Sequence, residues 1–591
     1  MKNRFEKEAD RLLLLLVAGA IAIFFLLYFS TRIPIESAEK QGSSTLSTFE
    51  EEKAILNGQP FEENKDLYDC DPSLYDVYIS VFPTPNENGE MLDYSAFSKH
   101  KALDHSYNPL LNCNIQILEE DQQPDPLTSL DSKNATIRVR GNSSRGAAIK
   151  NYKIKLDEEA GSFKGQTTLN INKHIRDQLK LTTKFQTDLL SKVMGLGSYQ
   201  TYFMRVWLRD ASKPADEQKF EYQGLFTEIE QPNKAYLEKR GLSTRGSLYK
   251  AEDFAFLQYD EIKNTDDPAY DQEAFESRLS ICEGGEDHSA IIAAVNAVND
   301  RSTPFDEVLD TYFSEDNLLT WIAFSLLVKN EDILNHNFLL YNNGYSDTIY
   351  FIPWDMDAAL RFDDHHDTKD GRRTQRSIQK LNQSVLIRRF LRMDGTVEKI
   401  KQKMEELLDG PLSEKNIDEL LDSYRPVLEK TLGKEPDQGF MYFEPEEYWE
   451  EVDKLAANIR NQKSILEEVI LYPVPNFVSF PTLNEDYYLE LAWEPSYSYQ
   501  QLPIHYNVEI YSDYECKDLL YKKTDITDTY HVTEKTFDPG TYFLLVKSID
   551  SEGHEQISME HYEFRSTSGS TIYRPGLLQF TVSEPGEEAS S

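Results

Sequence analysis

The sequence predicts an α+β protein: a large mixed domain followed by an all-β immunoglobulin-like sandwich, both placed behind an N-terminal transmembrane helix. Three observations predict it. An unbroken apolar run fills positions 12–29. From 68 to 472, alternating strand-like runs give way to long helical stretches. After Pro473-Val-Pro only short alternating runs separated by turns remain. With 591 residues the chain exceeds one ordinary domain. The expected parts are a cytoplasmic N-terminus at 1–11, an anchor at 12–30, a linker at 31–67, the mixed domain at 68–472, the sandwich at 473–566 and a flexible tail at 567–591.

The anchor comes first. Lys2, Arg4, Lys7 and Arg11 precede the apolar run. About 18 apolar residues can span a bilayer as a helix. A cleaved signal peptide is the competing reading, but its apolar core is shorter and ends at small residues, and no clean Ala-x-Ala follows here. The basic flank puts the N-terminus in the cytoplasm and the bulk of the chain outside the cell membrane. Residues from about 33 to 66 are rich in Ser, Thr, Glu and Gly and read as a tether.

The formal net charge is -40, spread along the chain. A polyanionic partner such as nucleic acid would be repelled without a concentrated basic patch. The four cysteines, Cys70, Cys113, Cys282 and Cys516, form no Cys-x-x-Cys, which excludes a zinc ribbon or thioredoxin motif. Outside the cell, Cys70 and Cys113 could pair; buried free thiols are the alternative.

The mixed domain opens with strands expected near 75–82, 114–119 and 135–140. Next comes 152–156, where Lys153 and Lys155 share one face and Ile154 takes the other. A helix is expected from about 177 to 194, ending at Gly195. Strands at 202–208 and 224–230 follow, and then helices from 289 to 329.

The most informative stretch runs from Asn330 to Asp357. Asp332 is followed five positions later by Asn337. Two apolar runs around Asn342-Asn343-Gly344 read as a hairpin that returns Asp355 and Asp357 towards Asn337. Phosphoryl transfer needs such a set: a carboxylate that receives or orients the hydroxyl proton, and an amide and a carboxylate that hold metal ions. The spacing from Asp332 to Asn337 is that of the protein-kinase catalytic loop. Oxygen ligands of this kind suit Mg²⁺ or Mn²⁺. The alternative is that Asp and Asn cap turns in an ordinary loop. Further on, His365 and His366 lie in a stretch dense in Asp and Arg that reads as a charged loop, and 381–471 is helical.

Five segments occur in order: Arg140-Gly-Asn-Ser-Ser-Arg145-Gly, Asn151-Tyr-Lys-Ile-Lys-Leu156, Gly224-Leu-Phe-Thr-Glu-Ile-Glu230, Gly246-Ser-Leu-Tyr-Lys250 and Trp354-Asp-Met-Asp357. Together they resemble the CotH kinase family, with similarity from about 76 to 471. The resemblance implies an atypical protein-kinase-like fold that uses ATP and Mg²⁺ or Mn²⁺ to phosphorylate Ser or Thr of secreted, surface or coat proteins. Carried over by position, Asp332 is the catalytic carboxylate, while Asn337, Asp355 and Asp357 serve the metal. Lys153 or Lys155 contacts the α/β-phosphates and pairs with Glu228 or Glu230. Arg140 and Arg145 hold phosphate or, alternatively, form structural salt bridges under the loop. The chain departs from ordinary kinases in three ways. No Gly-x-Gly-x-x-Gly loop precedes the Lys strand, Asn-Glu stands before Asp332 in place of His-Arg, and Asp-Met-Asp replaces Asp-Phe-Gly.

The segment 476–564 resembles a fibronectin type III domain, with Trp493 in an early strand and Gly540-Thr-Tyr entering a late one. Such modules usually bind or space. The functional expectation is therefore a membrane-anchored extracytoplasmic kinase. Its alternative is a non-catalytic surface scaffold in which both domains bind partners.

Overall fold

Seven strands close into a barrel at the start of the folded region of a computed structural model that describes residues 56–124, 132–362, 377–565 and 571–583. They are β1 (Leu74–Val81), β2 (Leu111–Glu119), β3 (Ala135–Arg140), β4 (Asn151–Leu156), β5 (Thr168–Asn172), β6 (Thr201–Asp210) and β7 (Glu221–Glu230). The order around the barrel is β1-β2-β3-β4-β5-β7-β6, and β1 with β6 is the parallel pair that closes it. Alternation dictates the two faces. In β3, Ala135, Ile137 and Val139 are buried while Arg138 and Arg140 are half-buried on the other side. The inward residues, among them Val77, Ile115, Tyr152, Ile154, Leu169, Ile171 and Phe226, fill the barrel.

A short helix, α1 (Thr182–Leu190), connects β5 to β6. It is shorter than the expected 177–194. The Asp177 carboxylate accepts bonds from the Leu179 and Thr182 amides and the Thr182 hydroxyl, so the residues before Thr182 form a side-chain-capped turn.

The second part carries a four-stranded sheet of β8 (Leu248–Ala251), β9 (Leu279–Glu283), β10 (Phe338–Asn342) and β11 (Ile349–Pro353), in the order β9-β8-β10-β11. Helices pack around it: α2 (Ser289–Asn299), α3 (Phe305–Tyr312), α4 (Glu315–Leu327), α5 (Val385–Leu391), α6 (Thr396–Asp409), α7 (Glu414–Thr431), α8 (Pro445–Asp453) and α9 (Leu455–Val469). All eleven residues of the α4 run from Asn317 to Leu327 are buried, as expected of a helix surrounded by others. One large core joins these helices to α1 and the sheet.

The last part is a two-sheet β unit. One sheet holds Thr482–Leu483, Tyr488–Ala492 and Tyr530–Thr536; the other holds Leu519–Ile526, Ile504–Tyr511, Gly540–Asp550 and Glu555–Ile557. Their facing side chains, including Leu489, Leu491, Trp493, Val508, Ile510, Leu544 and Val546, form a core of their own.

Several expectations need correction. Strands continue past 566: Thr571–Pro575 pairs with His561–Arg565, and Leu577–Val582 pairs with Gly540–Asp550. The buried Leu577, Phe580 and Val582 explain why this stretch is not tail. The linker ends earlier than 67. Phe61 is buried against Tyr341 and Tyr350, and Glu63 pairs with Lys65 and Arg240. All four cysteines are free, so Cys70 and Cys113 do not pair. Cys113 points into the barrel, and Cys70 lies against Ser191. The expected anchor at 12–30, His365 and His366 lie outside the described residues. Among the described residues no helix is long and apolar enough to cross a membrane.

Candidate active site

The β10-β11 hairpin determines which residues meet. Its register sets Phe338 opposite Pro353. One step further out, the Trp354 amide donates to the Asn337 carbonyl at 3.2 Å, so Asn337 and Asp355 emerge side by side at the open end. Both take left-handed backbone, with φ of 63° and 49°. This region is uncommon for residues other than glycine, and such strain clusters at functional sites. The turn after Asp355 is pinned from α1, where the Gln186 side-chain amide donates to the Met356 carbonyl at 2.8 Å.

Asp332 lies in the irregular segment between α4 and β10. Its Oδ2 accepts from Asn337 Nδ2 at 2.8 Å, and its Oδ1 lies 3.0 Å from His336 Nε2. The His336 contact is the main reason the Asp332 carboxyl sits below its ordinary range, and the same contact raises the imidazole. Asp332 is thus held ionised and oriented, yet half open to solvent. With Nδ2 engaged, Asn337 keeps Oδ1 as an acceptor, and that atom takes no hydrogen bond among the described residues. This is the end of the amide that a hard cation prefers.

Asp355 is exposed and Asp357 half-buried. Burial, then Asp355, Asp177 and Asp332, push the Asp357 carboxyl up to about 8; Arg361 opposes them. Carboxylates gathered in this way raise one another's pKa, and a divalent cation would offset their repulsion. The ligands do not form a preassembled cage. Among the described residues no three His, Cys, Asp or Glu side chains are placed to hold a metal ion. Mg²⁺ is commonly held by one or two carboxylates, with phosphate oxygens and water completing its shell, so these residues fit a metal that arrives with its nucleotide.

The facing wall comes from the outer surface of the barrel. Partners across antiparallel strands point to the same side. Arg138 pairs with Lys153, and Lys153 with Asn170. Arg140 donates to the Asn172 side chain and lies in the field of Asp355, Glu228 and Asp357. Burial, Arg138 and Arg140 lower the Lys153 amine to about 8. Arg138, Arg140 and Lys153 form no ion pair among the described residues. Three mutually repelling cations opposite a carboxylate group suit a phosphate chain between them.

Other expected site residues are placed elsewhere. The register sets Glu228 opposite Ile171 and Glu230 opposite Leu169, so both point into the barrel while Lys153 and Lys155 point out. The expected Lys–Glu pair therefore does not form. Glu230 is taken by Arg240, with Nη2 2.6 Å from Oε2, and by Lys239. Glu228 is fully buried, accepts one bond from Gln166, and is pushed far up by burial and by Glu230. Lys155 is exposed. Arg145 is buried, and its guanidinium donates to the carbonyls of Val139, Gly141 and Tyr107 and to Asn108. It fixes a loop and is not available to phosphate.

His336, Asp177 and Gln186 are the contributors that sequence reasoning missed. His336 stands four positions after Asp332, a spacing that could have suggested a pair. Gln186 and Asp177 reach the site only through the packing of α1.

The high Asp357 pKa has a consequence for stability without metal. The folded chain keeps this proton to about pH 8, whereas an unfolded Asp loses it near pH 3.9. The folded state binds more protons in that window, so stability falls as pH rises through it. Asp357→Asn should therefore stabilise the metal-free protein by about 1–3 kcal/mol at pH 9, partial exposure limiting the effect. The difference should vanish near pH 4. Urea unfolding at several pH values with a chelator present checks this, and added Mn²⁺ should restore the wild type at high pH.

The profile of the family described as CotH kinase protein matches residues 137–466. That range takes in Arg138, Arg140, Lys153 and the whole stretch from Asp332 to Asp357. The chain is also similar to "Inner spore coat protein H" of Bacillus subtilis (strain 168), at 24% identity over 229 residues. That match covers 39% of this chain and 59% of the relative, so the chain spans about three fifths of the length of the curated relative it matches.

Proposed function

The chain belongs to the CotH kinase protein family, and from that premise and the site geometry we propose that it is an atypical kinase transferring the γ-phosphate of ATP to Ser or Thr hydroxyls of surface or coat proteins. The observation that carries this reading is the pairing of opposites across one cleft. Asp332, Asn337, Asp355 and Asp357 gather at the hairpin end; Arg140 lies in the field of Asp355 and Asp357, and Arg138 and Lys153 share its barrel face, none of the three with an ion-pair partner among the described residues. Mg²⁺ or Mn²⁺, when bound, would neutralise charge on the phosphate oxygens. Asp355 and Asp357 would hold it, with Asn337 Oδ1 as a further ligand.

The remaining work falls to the chain's own groups. Asp332, kept ionised by His336 and oriented by Asn337, accepts the hydrogen bond of the incoming hydroxyl and takes its proton. Lys153 and Arg140 position the phosphates, and the anion raises the Lys153 pKa back towards its ordinary value. The family name and the printed name of the relative support a surface or coat location, to which the apolar run at 12–30 would tether the chain. The β unit resembles a fibronectin type III module and would space or dock the kinase part.

The test is transfer of labelled phosphate from ATP, with Mn²⁺, to the chain itself or to a Ser/Thr protein. Lys153→Met should raise the KM for ATP about 10- to 100-fold, while Lys155→Met leaves it within about twofold. If the two variants behave alike, Lys153 does not contact the phosphates.

A further inference from the structure

Away from the cleft, the end of α2, the start of α3, α5 and the Glu494-Pro495 turn of the β unit enclose a cavity of about 530 Å³. Its polar lining is unusual for this chain. Arg301, Arg388, Arg389 and Arg392 line it with one lining carboxylate, Glu494, so the lining itself carries about +3 in a protein of net charge -40; the Asp300 carboxylate lies in the field of Arg389. One of the four is committed to structure. Arg389 donates to the carbonyls of Ala297, Val298, Asp300 and Thr303 and lies over the Phe305 ring. It thereby closes the end of α2 and builds the wall.

The other three keep unused donors. Arg388 gives Nη1 to Glu494 at 3.2 Å, with its guanidinium over Phe477. Arg392 gives Nη2 to the Pro495 carbonyl at 3.1 Å. Arg301 makes no hydrogen bond or ion pair among the described residues. Burial and the nearby Arg392 and Arg301 disfavour the charge on Arg388, and Glu494 opposes them. An anion would relieve the repulsion among like charges gathered in this way. Guanidinium forks match tetrahedral oxyanions by paired bonds. Leu257, Phe305, Val385 and Met393 supply apolar walls, which suit the carrier of such a group more than a free ion.

We infer that this cavity binds a phosphate monoester carried on a polypeptide, with Arg301, Arg388 and Arg392 as its ligands. A phosphorylated Ser or Thr is the monoester that the proposed kinase would itself make, and the choice of carrier rests on that reading; the cavity's charge and shape do not. Docking of a phosphorylated segment here would hold a product near the enzyme while further hydroxyls reach the cleft.

The experiment is fluorescence anisotropy of the full chain with a short labelled Gly-Ser-Ala peptide carrying one phosphoserine, against its unphosphorylated form. The phosphopeptide should bind about 30-fold more tightly than the plain peptide. The double variant Arg301→Gln/Arg392→Gln, whose side chains are exposed, should lose about that factor with an unchanged melting temperature. Glu494→Gln should tighten binding about threefold by freeing Arg388, a gain that unfolding cannot produce. Equal binding of the two peptides, or a double variant that binds like the wild type, overturns the inference. Asp355→Asn should leave peptide binding intact; loss there would place the phosphate in the transfer cleft and also overturn it. Absence of transfer with intact, Arg301-dependent peptide binding would sink the kinase reading alone.

Discussion

Asp332→Asn is expected to abolish phosphoryl transfer, lowering kcat about 10³-fold or more, while ATP affinity changes by less than about threefold. The reasoning follows the two oxygens of this carboxylate. One accepts from Asn337 Nδ2 and the other meets His336 Nε2, so the group is held in one orientation and kept ionised. An amide in its place has nearly the same shape and could still accept one bond, but it cannot take a proton. It would also turn an NH₂ towards one of two donors. The nucleotide side, built from Asp355, Asp357, Arg140 and Lys153, would be left whole. Single-turnover transfer with Mn²⁺ and ATP separates the step from binding. If Asp332→Asn keeps wild-type turnover, the proton acceptor lies elsewhere.

Arg240→Leu is expected to destabilise the fold by about 3–5 kcal/mol, read as a shift in the urea midpoint. The Arg240 side chain is fully buried between two buried carboxylates, Glu63 and Glu230. Its guanidinium also lies 3.7 Å from the Tyr236 ring centroid. Removing it leaves two buried acids that keep, among the described residues, Lys65 and Lys239 as cationic partners. Removing one partner of a buried pair does this kind of damage, whereas replacing both by apolar groups does less. Arg240→Leu/Glu230→Leu should therefore recover part of the loss, and a double-mutant cycle gives the coupling. Full additivity of the two changes would mean that the contact does not stabilise the fold.

The parts of the site that could be read in the sequence are those in which geometry is local. From Asp332 to Asp357 the chain makes one loop and one hairpin. Alternation, a Gly-containing turn and strand length suffice to bring Asp332, Asn337 and Asp355 to one end. The Lys strand was legible in the same way, because alternation puts Lys153 and Lys155 on a common face. What alternation cannot say is which face becomes the inside of a barrel. That depends on closure between β1 and β6 and on the register of β5 with β7, all long-range pairings. Closure turned Glu228 and Glu230 inward, where Arg240 and Gln166 met them, and left Lys153 with cations for neighbours.

Arg145 shows the same limit from another side. Its position in a motif suggested phosphate, but carbonyls of its own loop and of Tyr107 claim it. The strands after 566 were missed because Ser and Gly around 566–570 resemble the start of a tail, and the alternation that follows is short. His336 was in view yet unassigned, since a pair at this spacing gains meaning only once Asp332 is seen to lie in the cleft.

The most direct measurement of the central claim is calorimetric titration of ATP into the full chain, with Mn²⁺ and with chelator. The expected result is saturable binding that requires the metal, is lost in Asp355→Asn and persists in Asp332→Asn. Binding that ignores the metal, or that survives Asp355→Asn unchanged, would contradict a metal–nucleotide site at the end of this hairpin.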